Sequence, residues 1–114
     1  MSVEEIQNKL PFIKEARYTY LNFLDERAKI INNLKGKPGI YCWINRCNLK
    51  YYIGSSYNLS TRINYYLYPS TLIREKRPVV SALMKYGIIN FMFVILDIID
   101  AQTVITKNKT ILYR

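Results

Sequence analysis

Histidine is absent from this chain of 114 residues. That absence excludes Cys/His zinc sites, Ser-His-Asp triads and histidine general bases together. Cysteine is scarce. Cys42 and Cys47 are the two present, too few for a disulfide framework. One falls in a strand pattern and the other in a turn pattern. Long apolar runs are missing too. The longest runs from Phe91 to Leu96, far short of the roughly 20 residues that a bilayer span needs, so no membrane partner is expected. The N-terminus, Met1-Ser2-Val3-Glu4-Glu5, has no apolar signal core, and its acidic pair argues against a mitochondrial transit peptide. Acidic residues are few throughout: eight Asp and Glu face seventeen Lys and Arg, a formal charge of +9. Catalysis by this chain would fall to Tyr, Arg, Lys, Asp or Glu.

The length suits one compact domain with a single core. Half of the residues are apolar, which supports a packed interior rather than a disordered chain. The positive charge is regional. From Arg27 to Lys85 there are eleven basic residues and one acidic residue, Glu75. Such a surface attracts polyanions, and phosphate backbones are the commonest. The expected partner is DNA, with RNA as the alternative. The candidate phosphate contacts are Lys37, Arg46, Lys50, Arg74, Lys76, Arg77 and Lys85. Eleven tyrosines with abundant Ile, Asn and Lys suggest A/T-rich codons, as in an organellar, phage or low-GC bacterial genome.

The pattern predicts helix first. No Gly or Pro interrupts Phe12 to Leu34, and Phe12, Ala16, Tyr20, Phe23, Arg27, Ile30 and Leu34 step by three or four. Gly36 and Pro38 end it. Residues 1–35 read as an N-terminal helical extension, and residues 36–114 as the domain proper. Ile40–Ile44 and Leu49–Ile53 read as a hairpin around Asn45-Arg46-Cys47-Asn48. A turn centred on Arg46 and Cys47 makes opposed residue numbers sum to about 93, placing Tyr41 across from Tyr52 on one face. Ile40, Ile44, Leu49 and Ile53 are expected to meet the core on the other. A helix is predicted from about Asn58 to Leu67, capped by Asn58 or Ser60, with Arg62 toward its outer side. A basic loop, Tyr68 to Arg77, follows. Another helix, Val79 to Tyr86, closes at Gly87. Phe91 to Asp97, apolar on both faces, reads as a central strand covered on both sides, and helix resumes after Asp100. The fold class is α+β: a small three-stranded antiparallel sheet flanked by helices.

One constellation carries chemistry. Pro38-Gly39-Ile40-Tyr41 is followed, with ten residues between, by Tyr52-Ile53-Gly54-Ser55-Ser56, then Asn58-Leu59 and Arg62. Leu83-Met84-Lys85-Tyr86-Gly87-Ile88-Ile89-Asn90-Phe91 comes later. Together these resemble the GIY-YIG nuclease family, in particular its intron-encoded homing-endonuclease branch, over residues 36–114. Bottom-up chemistry is compatible with that. Phosphodiester cleavage needs an activated water, a cation near the phosphorane and help for the leaving oxygen. Two tyrosines and an arginine supply the first two. A free tyrosine, with pKa about 10, is a poor base until a guanidinium or metal lowers that value.

The resemblance implies a three-stranded antiparallel sheet with flanking helices. It also implies a metal-dependent DNA endonuclease, with Tyr41 activating water, Tyr52 positioning water or phosphate and Arg62 holding the scissile phosphate. Gly39 and Gly54 read as backbone requirements. The family's divalent cation, typically magnesium, is held by a Glu on the helix after the last strand. In the homing branch that Glu commonly follows a Tyr-Arg pair, and Tyr113-Arg114 end this sequence. No metal ligand is therefore assigned, since Glu75, Asp97 and Asp100 do not match the motif. Cleavage is expected to be weak or lost. The alternative is a catalytically decayed fold retained as a basic nucleic-acid-binding protein, for example in a ribonucleoprotein. The branch suggests mitochondrial expression.

Overall fold

The computed structural model of the chain describes residues 1–66 and 78–99. Three elements come first: helix α1 (Val3–Lys9), a 3-10 turn (Pro11–Ile13) and strand β1 (Tyr18–Tyr20). Helix α2 (Arg27–Leu34), strands β2 (Gly39–Asn45) and β3 (Tyr51–Ser56), and helix α3 (Leu59–Tyr66) follow. Helix α4 (Pro78–Tyr86), a second 3-10 turn (Ile88–Asn90) and strand β4 (Phe91–Ile98) complete the described elements. The predicted loop Tyr68 to Arg77 and the helix after Asp100 lie outside the described residues.

The sheet is antiparallel and has four strands in the order β1-β4-β2-β3. The expectation of three strands is corrected by β1, and so is the continuous helix from Phe12 to Leu34. Tyr18, Thr19 and Tyr20 pair with Ile95, Val94 and Phe93. Aromatic and β-branched residues suit a strand. An open edge on β4 leaves amides and carbonyls that this segment satisfies. The helical spacing of Phe12, Ala16 and Tyr20 is thus incidental. The chain then turns at Asn22, whose Oδ1 accepts from the Asp25 amide at 3.4 Å and whose Nδ2 donates to Asp25 Oδ2 at 2.7 Å. Only then does α2 begin, burying Ile30 and Leu34.

The interior strand was legible. Phe91, Met92, Phe93, Val94 and Ile95 are all fully buried, because β4 is covered on both faces. One face carries the larger core. Tyr41, Trp43, Phe91, Phe93 and Ile95 pack there against Ile30 and Leu34 of α2, Leu59, Ile63 and Tyr66 of α3, and Val79, Val80 and Leu83 of α4. The other face carries Cys42, Ile44, Met92 and Val94, covered by Ile6 and Ile13. Residues 1–35 therefore supply a strand and the lid of this second core. The lid is fixed by a capping box, in which Ser2 Oγ accepts from the Glu5 amide and Glu5 Oε1 accepts from the Ser2 amide, both at 3.1 Å. The tyrosine-bearing face, not the isoleucine-bearing one, meets the main core, and Ile53 is left exposed.

The hairpin forms with its turn displaced by one residue from the prediction. Arg46 to Leu49 make its loop, closed by the Asn45 amide donating to the Lys50 carbonyl and the Leu49 amide donating to the Asn45 carbonyl. Asn45 Oδ1 accepts from the Cys47 amide at 2.8 Å, and Asn48 Oδ1 accepts from the Lys50 amide at 2.9 Å. Leu49 adopts the left-handed conformation, φ 66°. Opposed residues therefore sum to 95 rather than about 93: Tyr41 faces Gly54, and Trp43 faces Tyr52. A shift of two keeps every side chain on its face, so Tyr41 and Tyr52 still project from one side of the sheet.

Candidate phosphate-binding cleft

Gly39 and Gly54 bring the site together. Tyr41 stands directly across from Gly54, and its phenol leans over that residue. A Cβ on Gly54 would run into Tyr41 Oη and come within 2.5 Å of its Cζ. On Gly39, a Cβ would run into the Asp97 carbonyl and stand 2.9 Å from Leu59 Cδ1. Each triplet glycine is thus a close-approach position. One admits the tyrosine ring. The other admits β4 and the first residue of α3.

Helix α3 is set by its cap. Asn58 Oδ1 accepts from the Thr61 amide at 3.4 Å, from Ser60 Oγ at 2.9 Å and from the Gly36 amide at 3.2 Å. Ser56 Oγ donates to the Asn58 carbonyl at 2.9 Å and accepts from the Asn58 amide at 3.1 Å. These bonds tie the end of β3 to the start of α3 and fix where Arg62 emerges. Between them lies an open cleft of about 450 Å³, lined by Ser55, Ser56, Tyr57, Asn58, Thr61, Arg62 and Tyr65. Arg62 is half-buried, and its guanidinium lies 5.4 Å above the Tyr65 ring. A guanidinium and the Ser55 and Thr61 hydroxyls make a site for an oxyanion, whereas the Leu59 and Thr61 amides at the head of α3 and the Ser56 hydroxyl already donate to protein oxygens.

The three predicted catalytic residues are placed differently. Arg62 lines the cleft. Tyr52 is half-buried and packs against the main core. Tyr41 is buried, at 4 % exposure, and its hydroxyl lies 3.0 Å from the hydroxyl of Tyr66, which is equally buried. Sequence reasoning missed Tyr66. The signal was available: Tyr66 lies three residues after Ile63 and seven after Leu59, on the buried stripe of α3. Tyr66→Phe is expected to lower stability by about 1 kcal/mol, the net worth of one such bond, measured by urea unfolding.

The basic residues divide between the two ends of the hairpin. Lys37 is exposed beside the cleft, its carbonyl accepting from the Leu59 amide. Arg46 and Lys50 sit at the hairpin loop, roughly 20 Å away along β2 at about 3.3 Å per residue. Lys85 is near them, because the neighbouring Tyr86 hydroxyl accepts from Asn48 Nδ2 at 3.4 Å. Arg46 Nη2 donates to the Met1 carbonyl at 3.3 Å. Arg74, Lys76 and Arg77 lie outside the described residues.

The Glu that the resemblance implies for a divalent cation belongs after β4, beyond the described residues. Among them no group of three or more Cys, Asp or Glu comes together. Asp97 is exposed at the end of β4, and its Oδ1 accepts from the Ile98 amide at 2.9 Å. Glu75 and Asp100 are outside the described residues. Neither cysteine enters the cleft: Cys47 is exposed at the hairpin loop, and Cys42 is buried within β2, where burial pushes its thiol pKa up to about 12. Among the described residues, no helix is long and apolar enough to cross a membrane. Comparison with protein-family models, with curated proteins and with solved structures found no match.

Proposed function

We propose that this chain is a nucleic-acid phosphate-binding module of GIY-YIG nuclease type, which holds one DNA phosphate in the cleft at the head of α3. The observation that carries the reading is the half-buried Arg62 guanidinium set beside the Ser55 and Thr61 hydroxyls. It is supported by Tyr41 and Tyr52 sharing the face of the hairpin on which α3 packs. The reaction implied is phosphodiester hydrolysis to 5′-phosphate and 3′-hydroxyl ends. Arg62 offers its planar fork to the phosphate oxygens, where a lysine would offer a point charge.

A second reading, binding without cleavage, is favoured by one observation. Tyr41 is buried against Tyr66 rather than set in the cleft wall. The two readings part in a plasmid-nicking assay with magnesium, run beside DNA binding over a range of salt. We expect feeble cutting or none, and binding that weakens steeply as salt rises. Arg62→Ala should weaken binding about tenfold and flatten the salt slope by about one, the signature of a lost phosphate contact. Magnesium-dependent cutting abolished by Tyr41→Phe would establish the nuclease. Binding that ignores both salt and Arg62 would end both readings.

A further inference from the structure

The cleft holds more than an anion site, because two of its walls are aromatic and wet. Tyr57 is 61 % exposed and Tyr65 is 38 % exposed, whereas the packed tyrosines Tyr41 and Tyr66 are each 4 % exposed. Both exposed rings line the same cleft as Arg62. We propose that this cleft takes an unpaired nucleotide of a single strand, with its phosphate on Arg62 and its base stacked on Tyr57 or Tyr65. The inference rests on the reading of this cleft as a nucleic-acid site and names the form of nucleic acid that fits it.

The geometry separates single strands from duplex. A duplex buries its base faces in its own stack and offers a protein phosphates and groove edges. An aromatic face in a cleft finds a partner only in an unstacked base. Arg62 already lies over the Tyr65 ring at 5.4 Å, and a guanidinium so held presents its outer plane to a base as well as its edge to a phosphate. At about 450 Å³ the cleft falls within the size range of small-ligand pockets, about 300–1,000 Å³. Every base has a π-face, so the site would show little sequence preference.

The test is binding by the full chain, without magnesium, of a labelled oligothymidylate and of a duplex with the same number of phosphates. We expect the single strand to bind about tenfold more tightly at matched salt. Tyr57→Ala or Tyr65→Ala should weaken single-strand binding more than duplex binding and so remove most of that margin, whereas Tyr57→Phe, which keeps the ring, should retain it. Iodouracil placed in the strand should crosslink to Tyr57 or Tyr65. Equal affinity for the two forms, ring deletions without effect, or crosslinks confined to residues outside the cleft would overturn the proposal. Because binding is read without turnover, absence of DNA cutting would remove the nuclease reading and leave this one standing.

Discussion

Gly39→Ala is expected to abolish stable folding, or to lower stability by about 3 kcal/mol or more, the upper part of the range for overpacked interiors. The added methyl group would meet the Asp97 carbonyl and would stand 3.3 Å from the Ile98 Cα, both backbone of the neighbouring strand. Backbone in a four-stranded sheet cannot step aside without breaking the β2–β4 ladder, which pairs Gly39 with Ile98. The entropic gain from replacing glycine, about 0.4–1 kcal/mol, is too small to offset this. Gly54→Ala is a milder case. There the methyl group meets the Tyr41 phenol, a side chain that can move if its contact with Tyr66 is given up. Urea unfolding of the two variants should rank Gly39 above Gly54. Equal, small losses would show that the approach of β4 and α3 to Gly39 is looser than described.

Trp43→Ala is expected to cost about 3–5 kcal/mol, as large-to-small changes at buried aromatics do. Total stability for a domain of this kind is about 5–15 kcal/mol, so this one side chain carries a large share of it. Trp43 is fully buried, with ring centroids 4.8 Å from Phe23, 4.6 Å from Phe93 and 5.6 Å from Tyr66. It is thus the hub between the N-terminal segment, the central strand and the helix that carries Arg62. Trp43→Phe should cost much less. The indole Nε1 is buried with no hydrogen-bond partner among the described residues, so the smaller ring also removes an unpaired donor whose burial is unfavourable. Far-UV circular dichroism against urea measures both variants. A Trp43→Phe loss as large as that of Trp43→Ala would mean the indole donor is satisfied.

These two positions show what could be read from the residues and what could not. The hairpin, α3, α4 and β4 were legible because each announces itself locally: β-branched and aromatic runs, a cap at Asn58, Pro78 at a first helical turn and Gly87 after the last. The segment from Phe12 to Leu34 was misread because its helical spacing is real, while what decides its structure is distant. Tyr18 to Tyr20 become a strand only because Phe93 to Ile95 present an open edge. The hairpin register was missed because it depends on Asn45 and Asn48 bonding within the loop and on Leu49 turning left-handed. Arg62 was singled out from the motif pattern, and the structure places it in the lining of the cleft. The pairing of Tyr41 with Tyr66 was not, since a register and a helix rotation must both be known before two hydroxyls meet.

The interlock of Tyr41 with Gly54 has an evolutionary corollary. A ring from one triplet fills the space left by the missing side chain of the other, so neither letter can drift alone without penalty to folding. Steric fit alone is enough to hold both triplets in place, whatever chemistry the cleft does or does not perform. Preserved spelling and preserved reactivity are separate inheritances in this fold.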